Sequence, residues 1–207
     1  MSLHGLYLLA IVAEAMSGAL MGMRRGMDLF GICLVGTVAA LGGGTVRDVL
    51  LGHYPLGWIA HPEYLLLTAG AAALTAVAAR RLHKLRMPFL VVDALGLVAF
   101  TVLGCDIAAS QGLPTSIVLV SGLITGIFGG LLRDVLCNEI PLVLQRELYA
   151  SVSLLCGALY LGLPLLGVGA TATLAAAFVA GLALRLCALR FDWQLPRFGD
   201  ETIRGFD

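Results

Sequence analysis

Apolar residues run along this chain in seven long blocks, at about 5–23, 28–51, 62–80, 88–108, 115–136, 147–163 and 167–188. Crossing a ~30 Å hydrocarbon core takes about 20 apolar residues of helix. The pattern therefore predicts seven transmembrane helices and an all-α membrane protein. The blocks are separated by breakers or charges: Arg24-Arg25-Gly26, His53-Tyr54-Pro55, Arg80 to Arg86, Gln111 to Pro114, Asn138 to Pro141, and Pro164. None of these connections has room for a soluble domain. Residues 1–188 read as one transmembrane domain and 189–207 as a short cytoplasmic tail of mixed charge.

The blocks are not independent of one another. Leu41-Gly42-Gly43-Gly44-Thr45-Val46-Arg47-Asp48-Val49-Leu50 is followed 86 residues later by Ile127-Phe128-Gly129-Gly130-Leu131-Leu132-Arg133-Asp134-Val135-Leu136. The same offset carries Gly18 to Gly104, Gly36 to Gly122, Ala40 to Gly126 and Pro55 to Pro141. Glu63 and Glu147 correspond once two residues are inserted after Pro55. This is an internal repeat, one copy over about 5–80 and the other over about 88–163, with the helix at 167–188 outside it. Each copy holds three spans, an odd number, so the second begins on the opposite side of the membrane. An inverted 3+3 repeat with one extra helix is expected, and such repeats place solute sites near the midplane.

Composition agrees with the pattern. Hydrophobic residues make up 59% of the 207 and charged residues 13%, with mean hydropathy +0.96; a soluble domain carries about 25% charged residues. The formal net charge is zero, and no basic footprint for nucleic acid is present. Placement is more informative. With the N-terminus outside, Arg24, Arg25, Arg80, Arg81, Lys84, Arg86, Arg146, Arg185, Arg190, Arg197 and Arg204 all fall on the inner side, and the outer connections receive no Lys or Arg. The positive-inside rule then puts the C-terminus in the cytoplasm of a cell whose inner membrane holds the protein. The opening Met1-Ser2-Leu3-His4 lacks a basic n-region, so no cleaved leader is expected.

The repeated motif carries the candidate chemistry. Three successive glycines cost about 1 kcal/mol each in helix propensity relative to Ala. They can break the second span at Gly42–Gly44 and, by symmetry, the fifth at Gly129–Gly130. Half-helix ends would then aim backbone N–H groups and carbonyls at a midplane site. The same glycines also lie on small-residue stripes that suit close helix packing, Gly36, Ala40, Gly43 or Gly44, and Arg47 in one copy and Gly122, Gly126, Gly129 or Gly130, and Arg133 in the other. Arg47-Asp48 and Arg133-Asp134 are expected near opposite ends of their spans. Each pair is either a gate at a mouth of the path or a structural lock. Glu14 lies mid-span, with Phe100 as its repeat partner, and is either a hydrogen-bonded core residue or part of the path.

The remaining polar residues have simpler readings. Glu63 and Glu147 suit helix N-termini, and Asp93 and Asp106 suit the interfaces. The five cysteines form no CxxC pair and read as small buried hydrophobes; the four histidines have no metal-ligand spacing, so no metal is expected. No Walker loop, serine elbow or HExxH occurs, which argues against an enzyme and for no cofactor beyond permeant ions.

The doubled Gly-Gly…Arg-Asp motif in a 3+3+1 layout resembles the prokaryotic branch of the trimeric intracellular cation (TRIC) channels. The resemblance spans about residues 5–188. It implies a homotrimer among membrane lipids, with a potassium- and sodium-passing pore in each subunit, between spans kinked at the glycines. Carried over by position, it implies pore roles for Gly42, Gly43, Gly44, Arg47, Asp48, Gly129, Gly130, Arg133 and Asp134. Glu14 departs from the family, where an apolar residue is usual. Some bacterial relatives are described as glycine transporters, so a carrier of a small zwitterion such as glycine stands as the alternative to a passive channel.

Overall fold

The computed structural model describes residues 3–79, 85–145 and 148–193. Among these residues the chain is helical throughout: α1 (Leu3–Arg24), α2 (Leu29–Leu51), α3 (Gly57–Ala60), α4 (Glu63–Ala79), α5 (Arg86–Ser110), α6 (Thr115–Leu136), α7 (Leu142–Gln145), α8 (Leu148–Leu165) and α9 (Ala170–Phe191). Six of them are long and apolar enough to cross a membrane, and α4 is a shorter apolar helix. The 22 residues of α1 give about 33 Å at 1.5 Å per residue, enough for the hydrocarbon core. Glu147, most of the Arg80–Arg86 connection and the tail beyond Trp193 lie outside the described residues.

The two halves follow one plan: two long helices, a one-turn helix, then a further helix. The turns match as well. Gly26 and Gly112 are both left-handed, with φ of 68° and 69°. So are Gly52 (65°) and Asn138 (51°), which end α2 and α6. At each of these ends an Asp carbonyl accepts a backbone N–H five residues on, His53 N to Asp48 O and Glu139 N to Asp134 O. The α2 start is fixed differently, by Asp28, whose Oδ1 accepts the Gly31 N–H at 2.8 Å.

Packing follows the logic of lipid rather than water. The outward side of α4 carries exposed Leu66, Leu74 and Val77, while Thr68, Ala72, Thr75 and Ala76 face the bundle. Without a hydrophobic difference between lipid and leucine, small residues that let backbones approach hold helices together. The centre of the fold shows this most clearly. A methyl group at Gly43 would overlap the Thr125 carbonyl oxygen, and one at Gly129 would overlap that of Ala39. These contacts pair rising with falling numbers, so α2 and α6 cross antiparallel, with their Arg-Asp pairs at opposite ends.

The expected helix breaks are not present. Both α2 and α6 are continuous α-helices through Gly42–Gly44 and Gly129–Gly130. The close crossing accounts for glycine at 43 and 129, and an intact i to i−4 ladder satisfies backbone groups that lipid could not. The small-residue stripe is the reading the structure supports here. Of the cysteines, Cys105, Cys137 and Cys156 are buried, Cys33 is partly so, and Cys187 is exposed; none is in a disulfide.

Candidate functional site

At the C-terminal end of α2, Arg47 folds back onto its neighbour. Its Nε and Nη2 donate to Asp48 Oδ1 at 2.9 and 2.7 Å. The same oxygen meets His53 Nδ1 at 3.0 Å, and Oδ2 accepts the Gly57 N–H that opens α3, at 3.4 Å. Arg47 and Asp48 line a small cavity of about 170 Å³ with Tyr7, Leu41, Gly44 and Trp58. Gly44 has open space at its Cβ position except for the Arg47 guanidinium, whereas Gly42 faces the Leu132 side chain.

The equivalent end of α6 begins from the same plan. Arg133 Nε donates to Asp134 Oδ1 at 2.7 Å, and Asp134 Oδ2 accepts the Leu142 N–H that opens α7 at 2.9 Å. Asp134 lines a larger cavity of about 710 Å³ together with Arg24, Arg86, Phe89, Glu139 and Gln145. Arg24 and Arg25 reach Glu139 at 3.3 and 2.9 Å, tying the end of α1 to this mouth. The guanidinium of Arg133 lies 4.7 Å from the ring centre of Phe89, a wall of the cavity.

Arg133 gathers more than Arg47 does. Its Nη1 donates to Asp93 Oδ1 at 2.6 Å and to the Ser17 hydroxyl, and lies 3.8 Å from Glu14 Oε2. Asp93 Oδ1 also accepts from the Tyr149 hydroxyl at 3.2 Å. Arg185 of α9 is stacked over the Tyr149 ring, 4.6 Å from its centre. Arg133 and Asp93 are completely buried, and Glu14 and Arg185 nearly so. Gly130 borders the cluster, 3.1 Å from the Tyr149 hydroxyl when a Cβ is placed on it.

Several sequence expectations change here. Each motif Arg is ion-paired with the Asp that follows it. Asp93 is a buried partner of Arg133 rather than interfacial, while Asp106 is half-buried and accepts from the Tyr160 hydroxyl. Glu14 is a core residue without the expected hydrogen bond, since neither carboxyl oxygen has a donor. Arg185, counted on the inner side by charge placement and lying within the last span, is buried inside the bundle. Glu63 stands in the first turn of α4 as expected.

Asp93, Ser17, Tyr149 and Arg185 were not singled out as site residues. A signal for two of them was nonetheless present. The 86-residue offset sets Glu14 against Phe100, Asp93 against Tyr7 and Ser17 against Leu103. In each case one half carries a polar residue where the other is bulky and apolar or aromatic. All three polar residues surround Arg133.

Fold and site together define a multi-pass membrane protein built from two like halves whose charged motifs sit at opposite ends of crossing helices. A family model described as "Glycine transporter" matches residues 5–80 and again 90–165. The chain is 36% identical to the Escherichia coli UPF0126 inner membrane protein YadS over 99% of its own length and all of YadS. It is 37% identical to a Vibrio cholerae UPF0126 membrane protein over 89% of this chain and 77% of that one. Its fold superimposes on the crystal structure of the TRIC trimeric intracellular cation channel orthologue from Rhodobacter sphaeroides with a TM-score of 0.89 and 34% identity, covering 92% of this chain and 98% of that one. The chain belongs to this family, the prokaryotic TRIC channels and UPF0126 membrane proteins.

Proposed function

We propose that the chain is the subunit of a passive cation channel that passes potassium and sodium. Each subunit of a homotrimer then holds its own path, running between the two cavities past Gly42, Gly43, Gly44, Arg47, Asp48, Gly129, Gly130, Arg133 and Asp134, with Glu14 beside it. The observation that carries this reading is the approach of a cavity to each end of the crossed α2–α6 pair, with an Arg-Asp lock at each mouth. Buried carboxyls between and beside the mouths (Glu14, Asp48, Asp93 and Asp134) favour a cation over an anion. Likeness to a solved cation channel over nearly the whole chain supports the same conclusion. Because the helices are continuous, opening requires movement of the locks or of the crossing rather than a preformed break.

In this reading the N-terminus faces outward and the C-terminus the cytoplasm. The large cavity, rimmed by Arg24 and Arg86, is then the inner mouth. A carrier of glycine is the second reading, favoured by the description of the matching family model. Planar-bilayer recording of the purified chain under a potassium gradient, paired with glycine uptake into matched liposomes, separates the two. The channel reading expects unitary currents without saturable uptake. Saturable uptake and counterflow without unitary steps would replace it with the carrier.

A further inference from the structure

The cluster around Arg133 contains three carboxyls and two guanidiniums. Asp93 comes from α5, Arg133 and Asp134 from α6, and Arg185 from α9, joined through Tyr149 of α8. Glu14 enters from α1. The other helices packed on α1 are α2 and α4, and among the described residues neither brings a charged side chain to this cluster. Their acidic and basic residues within the bundle are Arg47 and Asp48, at the opposite mouth. Arg133 holds both Asp93 and Asp134, and Glu14 receives no hydrogen bond at either oxygen.

Counted with every group ionised, one carboxylate has no counter-charge. An uncompensated charge inside a membrane protein is costly, and a carboxylate without a single donor is the costliest form of it. One further positive charge balances the cluster. The space around Glu14 limits its size, because even a methyl group on Gly96 would overlap Glu14 Oε1. The Gly96 side leaves no room for a hydrated alkali ion, whereas a proton needs none.

We propose that Glu14 is a proton-binding site linked to the Arg133 lock, an inference that rests on the conduction reading above. With the proton on a Glu14 carboxyl oxygen, Arg133 stays on Asp93, Ser17 and Asp134, and α1, α5 and α6 are clamped together. When the O–H bond gives its proton to water, a carboxylate appears 3.8 Å from Arg133 Nη1, and Nη2, which has no partner, becomes a second donor to it. The guanidinium then moves from Asp93 towards Glu14 and the clamp loosens. Flux therefore rises with pH.

The test uses the full chain in liposomes, with potassium flux followed from acid to alkaline pH and infrared difference spectra of the same samples. Wild type is expected to gain flux with pH, approaching about tenfold per unit, the limit set by one proton. A protonated-carboxyl band should fade over the same range. Glu14→Gln should hold flux at the acid level at every pH and lack the band, while Glu14→Asp should keep both responses. A Glu14→Gln protein with the wild-type pH slope, or a wild-type spectrum with no Glu14 band, overturns the proposal. A titrating Glu14 band in a protein that passes no potassium at any pH would instead sink the conduction reading and leave the proton site standing.

Discussion

The two Arg-Asp pairs share sequence, backbone and hydrogen-bond plan, yet only one has grown a network. Arg47 is satisfied by its own neighbour and opens on a small cavity where His53 is half exposed. Arg133 binds the equivalent Asp and then adds Ser17 of α1 and Asp93 of α5, with Phe89 beneath its guanidinium. The shared part is a capping device, in which an Arg-held carboxylate receives the first N–H of a one-turn helix at 57 or 142. The added part ties three long helices together. A duplicated motif can thus keep its local role while one copy takes on a second one through substitutions elsewhere, here at positions 14, 17 and 93.

The sharpest way to break this comparison is to neutralise each arginine. Arg133→Gln strands Asp93 and Asp134 in the core, and removing one partner of a buried ion pair costs about 3–5 kcal/mol. Arg47→Gln leaves Asp48 with His53 and the Gly57 N–H, so a loss of about 1–3 kcal/mol is expected. Reversible unfolding in mixed detergent micelles measures both. Equal losses would mean that the network around Arg133 adds nothing to the shared lock.

The glycines offer the next contrast. At Gly43 a methyl group meets a backbone oxygen of α6, so Gly43→Ala should cost about 1–3 kcal/mol as overpacking and pull α2 from α6. At Gly44 the added methyl finds open space, and helix propensity favours Ala by about 1 kcal/mol. Gly44→Ala should therefore be neutral or stabilising in the same unfolding assay. A stabilised Gly43→Ala would show that the helices do not meet there.

Periodicity and repeat were enough to locate the helices. The span expected at 115–136 is α6 itself, and the others fall within a few residues of their helices. The one-turn helices α3 and α7 were hidden, because four residues between a left-handed cap and a longer helix carry no hydrophobic period. The glycine triplet was ambiguous for a physical reason. Poor helix propensity and close helix approach call for the same residue, and only the position of the Thr125 carbonyl decides between them. The burial of Arg185 was not legible because counting charges assigns a side but not a depth. Glu14 and Asp93 were each visible, but their meeting at Arg133 depends on how α1, α5 and α6 pack, which no local pattern contains.

The smallest expected effect tests the open end of the comparison. His53 Nδ1 meets Asp48 Oδ1 at 3.0 Å, the oxygen that already takes two donors from Arg47. Its side chain is 45% exposed, so water competes for it, and a pair of this kind contributes about 0–1 kcal/mol. His53→Ala should thus leave unfolding nearly unchanged. Asp48 keeps Arg47 and the Gly57 N–H, so the capping device survives as well. If His53→Ala instead destabilised the protein as much as Arg47→Gln, the Arg47 site would be a network like the Arg133 one. The asymmetry between the two ends would then lie in its members rather than in its extent.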